Sequence, residues 1–468
     1  MSNVELHELK ELSKGSSMEN KADLTKGSIL KLIKEISIPA STGLIFTTLY
    51  NAVDTYFAGQ KVGTAALAGI TLSFPIYFIV MAISNGLGSG TTSLLSIARG
   101  KKDDDKYHNL IFNAFMIALI ATAAIIIFGP LVIEPLMRFA GGEGEVLKEG
   151  SSYLLITFYG SGFFILNSIL NGILSSQGDT KSYRNFLIIG FFLNLFLDPL
   201  FIMGWFGLPQ MGSRGVALST VMIMAVGTVF LSRCVIKSPV FELNVLKKQR
   251  RKKENVLEIL SQSIPATLNT ATTAIGVFVI NYWIMKLSSG AAVIAAYGAA
   301  MRIEQFILIP TFGLNTAAVT LIGQNYGASD YDRVRESKTK IMRIGMIMIC
   351  SLSLIIYPFA GKLIGIFNSD PEVIREGIRY LRIALLAEPT YIIMGLLTSM
   401  LAGIKKPHYA VGLGLYRQLI MPYILISFLV SFFHMDIAAV WWSIFAVNWS
   451  GAIFTIFYTN RVFKKVLV

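Results

Sequence analysis

Twelve apolar blocks, each of about 20 residues or more, fill this chain, and about 20 such residues let a helix cross the hydrocarbon of a bilayer. They run near 35–58, 65–98, 108–133, 151–175, 184–204, 214–236, 257–285, 291–322, 341–366, 378–403, 409–432 and 437–460. Several exceed 25 residues, which predicts tilt, kinks or extension past the lipid. A helix satisfies its own backbone hydrogen bonds, as lipid requires. The 468 residues are 54% hydrophobic and only 15% charged, whereas soluble domains carry about a quarter charged residues. A water-soluble globule has nowhere to hide so much apolar surface. The expected fold is therefore an all-α membrane protein of twelve transmembrane helices, and a cytosolic enzyme is excluded.

The placement of positive charge sets the orientation. With the N-terminus inside, the tail, the even-numbered loops and the C-terminus hold 31 of the 41 Lys and Arg, counting Arg417 at the mouth of the eleventh block. The outer loops hold nine, and Arg302 is left alone inside a span. This is the positive-inside pattern and predicts a cell-membrane protein with both termini cytoplasmic. The net charge of +13 is thereby explained by topology and lipid headgroups, and nucleic acid is not an expected partner. Lys247, Lys248, Arg250, Arg251, Lys252 and Lys253 mark the segment between blocks six and seven. The first 30 residues are polar and mixed in charge. They read as a flexible tail or a surface helix, with no signal-peptide pattern.

The chain repeats itself. Glu145 to Gly150 (EVLKEG) recurs as Glu372 to Gly377 (EVIREG), and Tyr153 recurs as Tyr380. Gly86 and Gly100 recur as Gly313 and Gly327, all at an offset of 227. Ser37-Ile38-Pro39-Ala40 recurs as Ser263-Ile264-Pro265-Ala266 at an offset of 226. Constant spacing implies a six-helix unit used twice, and an even number of helices gives both copies the same orientation. Parallel halves around a central cavity are a transporter plan. The expected organisation is a tail at 1–30, a first lobe at 31–236, a basic linker at 237–256, a second lobe at 257–460 and a tail at 461–468.

Two carboxylates stand where lipid makes charge costly. Asp54 lies in the first block, one turn after Tyr50 and beside Asn51; Asp198 lies in the fifth, one turn after Asn194 and just before Pro199. Residues four apart share a helix face. The equivalent positions of the second half are Ile280 and Leu425, so the acids belong to the first half alone, which a purely structural contact would not require. Two acids kept from water titrate as a unit. They suit a coupling ion, either a proton or Na⁺ bound with Asn and Thr oxygens, and the residues themselves leave the two open. No resident cofactor is expected.

Further candidates for the cavity are Asn167 and Asn171 in the fourth block, Arg302 and Glu304 in the eighth, and Glu388 before Pro389 in the tenth. Thr220 in the sixth is unremarkable by itself. Gly86, Gly88 and Gly90 followed by two threonines lack the strand and lysine of a phosphate loop and read as close helix packing. Pro39, Pro75, Pro265 and Pro310 permit bends. Cys234 and Cys350 read as small hydrophobes, and the four histidines lack ligand spacing.

Leu49-Tyr50-Asn51-Ala52-Val53-Asp54 followed by Gly59 and Ala65-Ala66-Leu67-Ala68 resembles the first span and loop of the multidrug and toxic compound extrusion (MATE) family. Asn171-Gly172-Ile173-Leu174, Gly178-Asp179 and Asn194 through Pro199 do the same, and the likeness runs from about residue 25 to the C-terminus. The family has twelve helices in two lobes. The DinF-like branch is the most similar. It implies that Asp54 and Asp198 couple transport to H⁺ or Na⁺, that Asn194 and Thr220 are further cation ligands, and that Tyr50 is a cavity residue. The NorM-like branch has an acid early in span seven, where this chain reads Ala266-Thr267-Leu268-Asn269-Thr270; the resemblance therefore implies no second-lobe cation site of that kind.

The functional expectation is a secondary active antiporter, acting as a monomer, that exports amphipathic or cationic organic compounds. A flippase for lipids or lipid-linked sugars is the alternative; a lone Arg302 within the spans speaks against its anionic cargo. No nucleophile–base pair or metal cluster suggests an enzyme, and acids in one half only do not suit a passive channel.

Overall fold

The computed structural model describes residues 23–287 and 291–467; most of the N-terminal tail lies outside the described residues. Twelve helical runs follow the twelve apolar blocks. In the first half α1 is Ile29–Phe57, α2 is Thr64–Gly100 and α3 is Asp104–Phe139. Helix α4 is Gly144–Tyr159 continued by Ser161–Ser176 after a 49° bend. Then come α5 (Lys181–Met203), α6 (Ser213–Ile236) and, in the linker, a short helix Leu243–Lys248. In the second half α7 is Lys253–Leu287, α8 Ala291–Gly327, α9 Tyr331–Phe367, α10 Pro371–Gly403, α11 His408–Phe433 and α12 Ala438–Val466. Helix α9 passes a 3₁₀ turn at Tyr357–Phe359 and α11 a π turn at Tyr416–Ile420. There is no strand among the described residues.

Ten of these runs are each long and apolar enough to cross a membrane, and the bent α4 becomes so as a pair. Helix α1 has the length, 29 residues, but Thr47, Thr48, Asn51, Asp54 and Thr55 dilute its apolar character. Helix α5 continues through Pro199 to Met203, so Asp198 sits inside a helix and not at its end. The two halves also start α3 and α9 alike. Asp103 accepts from the Lys106 N–H at 2.9 Å and Asp330, 227 residues later, from the Arg333 N–H at 3.0 Å, each satisfying an orphan donor of the first turn.

Within the first lobe α1 packs on α5, α5 on α6, and α2 on α4; within the second α8 packs on α10, α10 on α12, and α7 on α11. The lobes meet where α2 lies against α7 and α8, and where α1 lies against α8. The boundary is crossed. Ile29, Ile33 and Ile36 at the start of α1 are buried in the second lobe's core, whereas Tyr50 near its end belongs to the first. Ile259 at the start of α7, the equivalent of Ile33 at the 226-residue offset, is buried in the first lobe's core. Each lobe thus borrows the first turns of the other's leading helix, and a cut at residue 31 or 257 divides sequence more cleanly than packing.

The seam between the lobes obeys the repeat. A Cβ at Gly86 of α2 would meet the Thr267 hydroxyl and the Ser263 carbonyl of α7, and one at Gly313 of α8 would meet Ser41 and the Ser37 carbonyl of α1. These are the same contact made twice, since Gly313 repeats Gly86 and Ser263 repeats Ser37. At the centre, Gly100 lies against the Gln324 carbonyl and Gly327 against the Ile97 carbonyl; 97 and 324, like 100 and 327, differ by 227. A pseudo-two-fold axis therefore runs between α2 and α8, and absence of a side chain at these glycines lets the backbones touch.

Two chain segments tie the lobes at this end of the bundle. Ahead of α1, Leu24 is 1% exposed. Its N–H donates to Gln324 Oε1 at 2.8 Å, and Arg333 donates to the Gly27 carbonyl at 3.1 Å. Gln324 also donates to the Ser176 carbonyl of α4 at 2.6 Å. Ahead of α7, Gln249 and the Arg250 carbonyl accept from Asn109 of α3 at 2.8 and 3.1 Å. Glu258 of α7 then bridges Lys106 of α3, at 3.0 Å, and Lys405 in the α10–α11 turn.

Candidate functional site

The first lobe brings α1, α5 and α6 together about a polar cluster. Tyr50 and Asp54 project from one face of α1, and Asn194 and Asp198 from one face of α5, because four residues make roughly one helical turn. Asn194 Nδ2 donates to Asp54 Oδ1 at 2.7 Å, and the Tyr50 hydroxyl donates to Thr220 Oγ1 of α6 at 2.8 Å. The Ser219 hydroxyl donates to Asp198 Oδ1. The Asp54 and Asp198 carboxyl groups adjoin one another. Asn194 and Asp198 are both 0% exposed, and Thr220 and Tyr50 are buried.

Among the described residues, two acceptors in this cluster have no partner: Asn194 Oδ1 and Asp198 Oδ2. Buried acceptors are ordinarily satisfied. Neither acid makes an ion pair with a basic side chain among the described residues. Orphaned oxygens, two carboxyl groups and hydroxyl neighbours form a donor set that fits a proton or a small hard cation, which takes oxygen ligands.

Other residues singled out in the sequence fall elsewhere. Asn167 donates to the Met224 carbonyl at 2.8 Å and accepts from Thr228 at 3.1 Å, fastening α4 to α6. Asn171 is half-buried and accepts from Ser175 at 3.2 Å. Asn51 is exposed. Arg302 is exposed and lies over the Phe367 ring, 5.9 Å from its centroid; it is not the partner of Glu304. Instead Glu304 of α8 turns inward beside Tyr380, and Glu388 of α10 is fully buried in the same lobe. Among the described residues, both oxygens of Glu388 and Oε1 of Glu304 lack partners. Tyr380, beside Glu304, packs with Tyr297 and Trp441 in an aromatic cluster with ring centroids 4.6–5.8 Å apart. At the 227-residue offset Glu304 and Glu388 correspond to Tyr77 and Ser161, so each lobe places its acids at different points of one framework.

Arg417 corrects the charge map. It sits in the π turn midway along α11, its guanidinium 5.1 Å from the Tyr391 ring centroid, and not at the mouth of that span. Arg302 is therefore not the lone cation within the spans. Sequence reasoning also passed over Ser219, which sits beside Thr220 but shows itself only once α6 is docked on α5. Tyr77 and Tyr153 lie close enough to Asp54 to feel its charge; for Tyr153 the repeat with Tyr380 was the available signal.

The MatE family model matches residues 39–200 and again 265–425, two copies spaced as the repeat requires and together covering well over half of the chain. The chain belongs to the MATE family. Its members are transporters and not enzymes. The probable multidrug resistance protein YpnP of Bacillus subtilis is 29% identical over 363 residues, covering 77% of this chain and 79% of YpnP. The FAD transporter of Shewanella oneidensis is 24% identical, covering 76% of this chain and 78% of its own. A solved multidrug resistance MATE family transporter in an outward-facing conformation superposes with a TM-score of 0.87 at 24% identity, over 95% of this chain and 98% of that one. That likeness shows the fold of this MATE protein: two homologous six-helix lobes of transmembrane helices.

Proposed function

We propose that this MATE protein is a secondary active efflux antiporter, working as a monomer in the cell membrane with both termini cytoplasmic. Its cargo is amphipathic, often cationic organic compounds, and its driving ion is H⁺ or Na⁺ taken by the first-lobe cluster. The observation that carries this reading is the fully buried Asp198 carboxyl group adjoining the half-buried Asp54, with two orphaned acceptors and no basic counter-charge among the described residues. A buried acid without a counter-charge calls for one from solution. Asp54, Asn194, Asp198 and Thr220 would hold a proton or Na⁺. The bound ion supplies positive charge, and the residues do the rest.

The coupling route is α1. Its far end carries Tyr50 and Asp54, tied to α6 and α5 by the bonds described above; its near end carries Ser37 and Ser41, packed on Gly313 of α8. A change of charge at Asp54 alters the bonds that hold α1 to its own lobe, and the same helix is part of the seam between lobes. The inter-lobe contacts described above gather at the end bearing both termini, which supports an outward-facing state with the cytoplasmic side closed. Rocking of the lobes about that seam would alternate access. The second lobe's buried acids Glu304 and Glu388, with the aromatic cluster beside Glu304, are suited to a cationic cargo.

Efflux from proteoliposomes under a pH gradient and a sodium gradient, imposed separately, tests the reading and distinguishes the ions. Asp54→Asn should abolish ion-driven efflux while the protein stays folded in the membrane; full efflux by that variant overturns the proposal. A flippase for lipids or lipid-linked sugars is the second reading, because Arg417 lies within the bundle. Loss of anionic-cargo movement in Arg417→Gln, with cationic efflux absent in the wild type, would favour it.

A further inference from the structure

Helices α7 and α11 touch closely in mid-bundle and part toward the end that bears the termini. Gly414 of α11 abuts Thr272 of α7, and Gly276 of α7 abuts Gln418 of α11. Below those contacts a groove of about 460 Å³ opens between them, walled by Leu260, Ile264 and Leu268 of α7 and by Val411 and Leu415 of α11. Gly412 also lines it, and a Cβ there would meet nothing within 4 Å. Ile264 and Leu268 are exposed, so the groove faces outward from the bundle.

Its rim is basic. His408, the first residue of α11, lines the mouth and is exposed, and Lys406 two residues before it is exposed as well. Glu258 is the acid nearest along α7, but it already bridges Lys106 and Lys405; three lysines face one glutamate, leaving net positive charge. Pro407 gives α11 no side-chain cap, so its first N–H groups add to the attraction for an anion.

We propose that this groove binds one anionic glycerophospholipid of the surrounding bilayer. An acyl chain lies along Leu260, Ile264, Leu268, Val411 and Leu415, and the phosphate headgroup lies at Lys406 and His408. Basic pockets between transmembrane helices on the cytoplasmic side recognise such headgroups, and an apolar slot beneath one adds the chain's burial. The site has a mechanical position. Leu260, Ile264 and Leu268 recur every four residues on one face of α7, and Ser263 and Thr267, between them, face Gly86 and Gly90 of α2. A lipid in the groove braces the back of the helix whose front closes the lobes.

Native mass spectrometry of the full chain, released from bilayers of mixed phosphatidylglycerol and phosphatidylcholine, tests this. The wild type should retain one phosphatidylglycerol with at least tenfold preference. Gly412→Leu, whose Cβ would meet nothing within 4 Å and whose side chain would project into the groove, should lose that lipid at least tenfold. Lys406→Gln with His408→Gln, both at exposed positions, should keep a lipid but erase the headgroup preference. Equal retention of the two lipids by the wild type, or undiminished phosphatidylglycerol in folded Gly412→Leu, would mean unselective annular lipid only and overturns the proposal. If Gly412→Leu fails to fold, the double surface variant decides: unchanged preference in it overturns the proposal equally.

Discussion

Gly100→Ala is the sharpest probe of how the lobes close. The alanine Cβ would lie 1.9 Å from the Gln324 carbonyl oxygen and 2.7 Å from its carbon, both backbone atoms that no rotamer change can move aside. Restoring even a tight 3.0 Å contact requires α2 and α8 to part by 1.1 Å, the difference between 3.0 and 1.9 Å. Overpacking of this kind costs ~1–3 kcal/mol. That cost falls on the state in which α2 and α8 touch and vanishes where the lobes have rocked apart at this face. A differential of that size shifts a two-state equilibrium about 5- to 150-fold. Gly327→Ala should act in the same sense, because its Cβ would meet the Ile97 carbonyl at 2.2 Å across the pseudo-axis. Spin labels at Lys101 and Ala328, exposed positions related by the repeat, report the separation by pulsed electron–electron resonance in a background lacking Cys234 and Cys350. Both glycine variants should populate a longer distance that is minor in the wild type. An unchanged distance distribution in both, with the proteins folded, would show that the seam does not open in the cycle.

Leu24→Ala removes a fully buried side chain from the same closed face and should cost it ~2–5 kcal/mol, lengthening the Lys101–Ala328 distance as the glycine variants do; no change would make the segment ahead of α1 a passenger. Glu258→Gln frees Lys106 and Lys405 from a partly exposed bridge, so the shift should be only ~0.2–1 kcal/mol and fade at high salt, as read by the same labels across an ionic-strength series. For the tie between α1 and α6, a cycle of Tyr50→Phe, Thr220→Ala and the double variant should give a coupling of ~0.5–1.5 kcal/mol in thermal unfolding; additive losses would mean the hydroxyls do not act together. Ser219→Ala should weaken ion-driven efflux while leaving Asn167→Ala, on the α4–α6 fastening, to lower stability more than coupling; the reverse pattern in efflux and melting assays would relocate the site.

The sequence determined the membrane class, the twelve helices and the doubling, because apolar runs of spanning length and a constant 226–227 offset are properties of the linear order. It also marked Asp54 and Asp198, since a charge in an apolar block is conspicuous without coordinates, and i,i+4 spacing paired each with Tyr50 or Asn194. What the linear order does not contain is which faces meet. That Asp54 reaches Asn194 140 residues away, that Ser219 completes the cluster, and that Asn167 is spent on packing follow only from how α1, α4, α5 and α6 dock. The same is true of Glu304, whose neighbour in sequence is Arg302 but whose neighbour in space is Tyr380: two residues apart on a helix point to opposite sides, and a partner on another helix is chosen by packing. Arg417 was misplaced for a related reason, since hydropathy locates a span's ends only loosely. The crossed cores, with Ile33 in one lobe and Ile259 in the other, are likewise a product of tertiary structure, because an apolar residue carries no address until a second helix covers it.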